Sequence, residues 1–291
     1  ALAVLASYGG LRLQAYLEDS RFIAAELGTA KEALASGRTL AARVLASREE
    51  SLAMFDGRPP SSLGPETATD ATGLRSAAEK RWTETLALRD QAEAAFTRAS
   101  RSLERGLDRD RHHPDTRRLI AEVLSERVLL AEAFHQRHER DAWLQRLEQE
   151  VDSAKEGGAS LRRFHEPAEL VFESTPPGAR VSITRVLRSD GPFRREAVPA
   201  TGSSRFVLPE GSYLLHVTQP GRVPLDVPVF LTHGAREALR LTLPTQVPEG
   251  YVYIPPGCFL LGSAEPEVVR RFTFSPPMHR YCLTGGYLVG R

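Results

Sequence analysis

The chain has 291 residues, of which 41% are hydrophobic and 26% charged, and its formal net charge is +1 at pH 7. This length predicts two or three domains, and the composition is that of an ordinary folded protein. A net charge so close to zero excludes an overall field that would draw the chain onto nucleic acid, so we expect no nucleic-acid partner.

The opening residues 1–11, ALAVLASYGGL, are apolar but fall short of the ~20 residues that a membrane-spanning helix needs. They also lack the charged start and cleavage site of a signal peptide. Two interpretations stay open, the end of a transmembrane helix whose beginning precedes Ala1 and the buried end of an ordinary helix. Because the chain begins without Met and ends in the β-like run GGYLVGR, we expect a piece of a longer protein, with membrane attachment through the part before Ala1.

Residues 1–155 are predicted to be helical, because apolar residues recur there at the spacing of three and four that marks one helix face. A stretch rich in proline and small polar residues, Gly57 to Gly73, interrupts the pattern and predicts a loop. Asp70 or Thr72 is available to cap the helix that follows. The apolar stripe before this loop consists of Leu13, Leu17, Ile23, Leu27, Leu34 and Leu40.

A second helix is predicted from about Leu74 to about Leu107, and a third from about Thr116. The turn between them contains Pro114, which does not fit a helix interior but suits a helix start. A break is predicted near 138–141, after which the helical pattern resumes. Four large aromatic residues share faces with Leu and Ala and are predicted to be core residues rather than a ligand platform. These are Trp82, Phe96, Phe134 and Trp143.

Residues 95–134 resemble a helix pair of the tetratricopeptide type. The small residues Ala95 and Ala99, the pair Leu103 and Leu107, and the proline at the turn carry the resemblance. It covers about one repeat at that family's ~34-residue period. The resemblance implies antiparallel helical hairpins, and a plain hairpin or bundle stays open as the alternative because an array needs about three repeats.

After a predicted linker at 156–167, the apolar period changes from helical to alternating. Val181 and Ile183 are predicted to lie on one face of a strand, and Pro176-Pro177-Gly178 forms a turn before it. Farther on, Tyr213, Leu215 and Val217 share a face. Short strands separated by turns predict a small β-sandwich over 168–245.

This β region resembles the PEGA domain, named for a Pro-Glu-Gly-Ala signature. The chain reads Pro209-Glu210-Gly211-Ser212, so only the last position departs from the signature. The upstream TPPGARVSI is similar to the family's opening strand pair, and the downstream TQPGRVP stands where the family has a Pro-Gly-aromatic turn, with Arg222 in place of the aromatic residue. The resemblance implies a β-sandwich that presents or binds a ligand.

The last segment, 246–291, resembles the truncated start of a domain of the formylglycine-generating, or sulfatase-modifying-factor, family. The stretch GYVYIPPGCFLLGSAEPE matches that opening at Ile254, Pro255, Gly257 and several later positions, whereas Cys258 and Leu261 depart from it. The family's catalytic cysteines lie near the far end of its domain. Cys258 and Cys282 therefore match no catalytic position, and the residues leave a disulfide and two free thiols equally open.

The order of the three regions is similar to the part that follows the kinase domain and membrane span in some large bacterial Ser/Thr protein kinases. This arrangement implies a non-catalytic accessory region, membrane-anchored and outside the cytoplasm, with a cytoplasmic placement left open. The expected partners are a protein or an envelope polysaccharide, and the oligomeric state is undetermined. Two alternatives stay open, the N-terminal part of a formylglycine-generating or non-haem iron enzyme and an assembly protein that uses its helices alone.

No catalytic, cofactor-binding or metal-binding residue is predicted. The glycines of GGYLVGR lack the Lys and Ser or Thr of a phosphate loop and predict a strand end. His135 and His138 stand at helical i, i+3 spacing and could hold a metal, but exposed imidazoles near a helix end are the favoured interpretation. His112 and His113 are predicted to lie in a turn too far along the helix to join that pair.

Overall fold

The computed structural model describes residues 2–58, 71–154, 158–187, 193–199 and 204–291, with side chains from Leu13 onward except at positions 71, 152–154 and 159. The chain divides into two compact units. The first, called the helical unit, contains Ala1–Ser160 and Ser263–Pro277. The second, called the β unit, contains Leu161–Gly262 and Met278–Arg291. A helical N-terminal region followed by a β-rich region is thus confirmed as the fold class.

The helices follow the predicted order. They are α1 (Leu2–Phe55), α2 (Ala71–Arg109), α3 (Pro114–Ala133), α4 (Arg137–Ala154), α5 (Ala159–His165) and α6 (Glu267–Phe272). The short α5 lies within the stretch 156–167 that the sequence assigns to a linker. Of the two predicted caps of the second helix, Thr72 lies inside α2 and Asp70 is outside the described residues.

Helices α1 and α2 form a long antiparallel hairpin. Glu26 of α1 accepts two hydrogen bonds from Arg105, whereas Glu50, farther along α1, accepts from Arg81, so the partners run in opposite order. The far end of α2 reaches Asp19, which pairs with Arg109. Residues of α1 before that point lie beyond the end of α2. This explains why Leu13 and Leu17 of the predicted stripe are exposed while Ile23, Leu27 and Leu34 are buried.

The turn before α3 agrees with its sequence signal. Pro114 is the first helical residue, and the ring of His113 accepts a hydrogen bond from the backbone N–H of Thr116. The break predicted near 138–141 is wrong in position, because α3 ends at Ala133, with Phe134 as its C-cap, and α4 begins at Arg137. The physical reason is the buried ring of Phe134, which packs 5.6 Å from Trp82 and fixes the end of α3, while His135 takes the left-handed backbone that reverses the chain.

The strands of the described chain occur after α5. They are β1 (Ala168–Thr175), β2 (Arg180–Leu187), β3 (Arg194–Val198), β4 (Arg205–Leu208), β5 (Gly211–Thr218), β6 (Leu225–Leu231), β7 (Arg236–Thr242), β8 (Tyr251–Ile254), β9 (Gly257–Leu261), β10 (His279–Leu283) and β11 (Tyr287–Gly290). They form sheets in the orders β4-β1-β7, β3-β2-β5-β6, β8-β11 and β9-β10. The pairing of β1 with β7 is parallel, and the other strand pairs are antiparallel.

The three- and four-stranded sheets share one buried core. Alternating residues of β1, β2, β5 and β6 point into it, and the predicted face of Tyr213, Leu215 and Val217 is confirmed, each being at most 2% exposed. The turn at Pro209 and Glu210 leads from β4 in one sheet to β5 in the other. This turn therefore crosses the core instead of closing a hairpin between neighbouring strands.

Strands β9 and β10 place the two cysteines opposite each other. Cys258 and Cys282 are register partners and form a disulfide, which resolves the two open alternatives. The run GGYLVGR contributes β11, as its strand prediction requires. None of the described helices combines the length and the apolarity that a bilayer-spanning segment needs. The side chains of residues 1–11 lie outside that description.

Candidate functional site

The segment Ser263–Pro277 of the helical unit centres on one buried charge. It contains α6, and its two ends meet where the backbone N–H of Ser263 donates to the carbonyl of Pro276. Arg270 of α6 has a side chain only 1% exposed. A buried guanidinium keeps its charge only when its donors find acceptors, so its contacts define the candidate site.

All five N–H donors of Arg270 have partners. Nη1 and Nη2 donate to the two carboxylate oxygens of Glu79 at 3.0 and 2.6 Å. Nε and Nη2 donate to Glu267 at 3.1 and 2.9 Å, and Nη1 also donates to the carbonyl of Ser275 at 2.8 Å. This bidentate geometry is the strong form of an Arg–carboxylate pair and requires both acids to be in position.

Aromatic side chains complete the surroundings of the guanidinium. The indole N–H of Trp82 donates to Glu267 at 2.9 Å, and the ring of Phe55 lies 5.8 Å from the guanidinium carbon. The ring of Phe55 also packs against a small buried cluster that contains Met54 and Leu74, at the end of the hairpin where α1 ends and α2 begins. Arg270 is thus anchored over apolar residues with little access to water.

Electrostatics favour the charged forms of the cluster. Burial acts to lower the pKa of Arg270, but the hydrogen bonds to Glu79 and Glu267 outweigh it and raise that pKa above its ordinary value. Burial likewise acts to raise the pKa of Glu267, yet the hydrogen bonds from Arg270 and Trp82 hold it below its ordinary value. The charged forms of Glu267 and Arg270 are therefore favoured near neutral pH, and this pair anchors the segment Ser263–Pro277.

A second polar arrangement lies on the β unit. Ser182, His216 and Asp226 are register partners across β2, β5 and β6, and all three are exposed on the outer face of the sheet. The Nδ1 atom of His216 lies 2.7 Å from a carboxylate oxygen of Asp226. We call these three residues the polar row. A Ser-His-Asp hydrolase needs a buried Asp, whereas the side chain of Asp226 is 63% exposed, so the row lacks this feature of a catalytic triad.

The turn that carries the Pro-Glu-Gly signature has a structural role. The hydroxyl of Tyr213 donates to the carbonyl of Pro209 at 2.7 Å, and Arg185 donates to the carbonyl of Glu210 at 3.1 Å. Burial raises the pKa of Tyr213, which keeps its hydroxyl a donor. These two hydrogen bonds hold the turn that leads the chain from one sheet to the other.

The histidines weighed from the sequence do not converge. His113 caps α3, while His135 lies in the break before α4 and His138 lies within α4, so the assumption that the last two share one helix face is wrong. Within the described ranges, no group of three or more His, Cys, Asp or Glu side chains is arranged to hold a metal ion. The aromatic prediction is confirmed for Trp82, Phe96 and Phe134, which are buried. Trp143 is half-buried, with the guanidinium of Arg127 at 4.3 Å from its ring centre.

The Arg270 cluster could not be predicted from the sequence. Its one local signal is the helical i, i+3 spacing of Glu267 and Arg270, which is common on exposed helices. The decisive partner, Glu79, is 191 residues away.

Comparison of the chain with known protein families, with characterised proteins and with solved structures returns no match.

Proposed function

We propose that this chain is a non-catalytic accessory region of a membrane-anchored bacterial Ser/Thr protein kinase. In this proposal the helical unit is a spacer and protein-docking surface, and the β unit is a PEGA-type module that binds or presents an envelope component such as a polysaccharide. The parentage rests on the order of the three resemblances in the sequence.

The spacer role is supported by the length of the α1–α2 hairpin. A helix of 54 residues extends about 80 Å at 1.5 Å per residue. Ion pairs tie it to α2 from Asp19 and Arg109 at one end to Glu50 and Arg81 at the other. The paired part of α1, from Asp19 to Glu50, spans about 47 Å at the same rise and holds its ends apart more firmly than a flexible linker does.

The binding role is carried by one observation, the polar row. A hydroxyl, an imidazole and a carboxylate lie side by side on an open sheet face, and sugar hydroxyls both donate to and accept from such groups. Phe230, 42% exposed on β6, adds an apolar side chain to the same outer face of the sheet. Mixed polar and aromatic surfaces of this kind suit the two-sided polarity of a carbohydrate ring.

The test is a binding screen of the 291-residue chain against glycan arrays and purified bacterial envelope polysaccharides. We expect one glycan class to bind and His216→Ala to weaken that binding by about tenfold, as losing a hydrogen bond to the glycan implies. Arg240→Ala is the matched control, because Arg240 belongs to another exposed ion pair, on the three-stranded sheet. Failure to bind any glycan across the panel, or equal loss in both variants, would show that the binding role is wrong.

The parentage has its own test in the gene. Reading upstream of the codon for Ala1 must show a Gly-rich loop, the H-R-D and D-F-G motifs and a hydrophobic span, or the kinase assignment fails.

A second candidate, the formylglycine-generating or non-haem iron type of enzyme, is favoured by one observation. Tyr251–Ile254 and Gly257–Leu261 form strands β8 and β9 around the turn at Pro255, which is the strand-turn order that the resemblance implies. Metal-binding residues or paired cysteines encoded after Arg291 would support this enzyme, and a domain without them would exclude it.

A further inference from the structure

The segment anchored by Arg270 exposes three large apolar side chains. Val268 is 82% exposed, Phe272 83% and Phe274 78%. Val268 and Phe272 stand four residues apart on one face of α6, and Phe274 follows directly after it. We call these three residues the apolar tip.

Phe274 occupies a backbone position that favours glycine. Its φ is +51°, and the N–H groups of Phe274 and Ser275 donate to the carbonyls of Arg271 and Arg270. These two bonds close the end of α6 in the Schellman pattern, whose left-handed residue is usually Gly. A bulky, exposed aromatic residue at a left-handed position is strained and points to a function outside folding.

The area of the apolar tip argues against a second copy of the chain as its occupant. Two largely exposed Phe side chains and one Val present about 400 Å² of apolar surface. A standard protein interface buries about 800 Å² on each partner, so the tip is too small to hold a stable dimer alone. Side chains exposed to this degree protrude, and protruding aromatic residues fit a fluid surface that closes around them, as the interface of a bilayer does.

The charged side chains beside the apolar tip, three arginines and two glutamates, leave a net charge of only +1. Arg271 lies 3.5 Å from Glu267 and 3.8 Å from Glu79, Arg270 is fully paired with the same two acids, and Arg75 lies 4.0 Å from Glu79. Attraction by anionic headgroups is therefore not the main contribution. The main contribution is the insertion of apolar side chains, so we expect membrane binding to depend little on salt or on lipid charge.

We infer that the apolar tip is a membrane-contacting element that inserts Val268, Phe272 and Phe274 into the interfacial region of a lipid bilayer. This contact is additional to the proposed anchor before Ala1 and independent of the polar row. The rigid Arg270 cluster holds the three side chains in place, so little ordering is required on insertion.

The experiment is flotation of the 291-residue chain with phosphatidylcholine vesicles, repeated with vesicles that contain phosphatidylglycerol. We expect the chain to float with both, and the variant Phe272→Ala/Phe274→Gly to partition at least about tenfold less, as the loss of two inserted aromatic side chains implies. Glycine at 274 suits the left-handed backbone, so this variant keeps the end of α6 and should retain its thermal unfolding transition.

Phe193→Ala is the matched control, because Phe193 is an aromatic residue of the β unit with a similar exposure of 69%. It should float like the parent chain. Undiminished partition of the double variant, or no flotation of the parent, would overturn the inference. So would a parent dimer that the double variant converts to monomers in analytical ultracentrifugation, because a second copy would then cover the apolar tip. Glycan binding by the double variant should equal that of the parent, which separates this test from that of the polar row.

Discussion

Arg270 and Glu79, 191 positions apart, form a two-point ion pair in which Nη1 and Nη2 of the guanidinium donate to the two carboxylate oxygens at 3.0 and 2.6 Å. The Arg270 side chain is 1% exposed, so its guanidinium is bonded to Glu79, Glu267 and the carbonyl of Ser275 in place of water. Such pairs contribute modestly to net stability but strongly resist the removal of one partner. Arg270 therefore makes the most buried contact of Ser263–Pro277 with the hairpin, beside the bonds from Trp82 to Glu267 and from Arg75 to the carbonyl of Phe274.

Arg270→Ala should destabilise the helical unit by about 3 kcal/mol, because it leaves Glu79 and Glu267 as partly buried acids without their shared cation. The measurement is urea unfolding followed by tryptophan fluorescence. The chain has two tryptophans, Trp82 and Trp143, and both lie in the helical unit, so the signal reports that unit alone.

The control for this prediction is Arg271→Ala. The side chain of Arg271 is 50% exposed and lies 3.5 Å or more from its acidic partners, so its loss should cost less than about 1 kcal/mol. Arg270→Lys should fall between the two, since an ammonium keeps the charge but not the forked geometry. Equal losses for Arg270→Ala and Arg271→Ala would contradict the anchoring role of Arg270.

Acid should weaken the same cluster. The folded-state pKa of Glu267 lies below its ordinary value of about 4.5, so its contribution is complete above that pH and is lost as the pH falls through the folded pKa. We expect the unfolding free energy of the helical unit to fall between about pH 5 and pH 3, and to fall less in Glu267→Gln. Tryptophan-detected urea unfolding across this range measures the difference.

Glu93 supplies a comparison of opposite sign. Burial raises the pKa of Glu93 despite the nearby charge of Arg127, so the folded state favours its protonated form and loses stability as the pH rises through this range. Glu93→Gln should therefore make the acid dependence steeper, whereas Glu267→Gln makes it shallower. Changes of the same sign in both variants would exclude this account.

Close approach in the hairpin should make Gly37 intolerant of a methyl group. A Cβ atom at Gly37 would lie 2.5 Å from the ring of Phe96, which is fully buried and cannot yield. Gly37→Ala should cost about 1–3 kcal/mol by overpacking, despite the better helix propensity of alanine. Gly28→Ala, at an open position on the same helix, should instead raise the free energy of unfolding by about 0.5–1 kcal/mol. Tryptophan-detected urea unfolding measures both changes.

Features encoded by local spacing could be predicted from the sequence, whereas long-range partners could not. The face of Tyr213, Leu215 and Val217 and the start of α3 at Pro114 follow from alternation and from the chemistry of proline. The parallel pairing of β1 with β7 and the contact of Gly37 with Phe96 join segments whose own patterns fit many partners. Arg270 was missed for the same reason, since an isolated Arg beside a Glu is typical of solvated helices.

The residue at position 274 should reveal the strain of the left-handed turn. Phe274→Gly and Phe274→Ala both remove a ring that is 78% exposed, so they lose similar packing. Only glycine relieves the contact between Cβ and backbone at φ +51°, and Phe274→Gly should therefore be about 1 kcal/mol more stable than Phe274→Ala. Equal stability of the two variants in urea unfolding would show that this backbone carries no strain.

Reduction should destabilise the β unit, because the Cys258–Cys282 bridge closes a loop across a sequence separation of 24 residues. A loop of this size restricts the unfolded chain enough to contribute about 3 kcal/mol. We expect dithiothreitol to lower the unfolding midpoint of the β unit, followed by far-ultraviolet circular dichroism, and to leave the tryptophan signal of the helical unit nearly unchanged. Cys258→Ser/Cys282→Ser should match the reduced protein and be insensitive to dithiothreitol. Alkylation of both thiols in the native, unreduced protein, seen as two added groups by intact mass, would show that the cysteines are free.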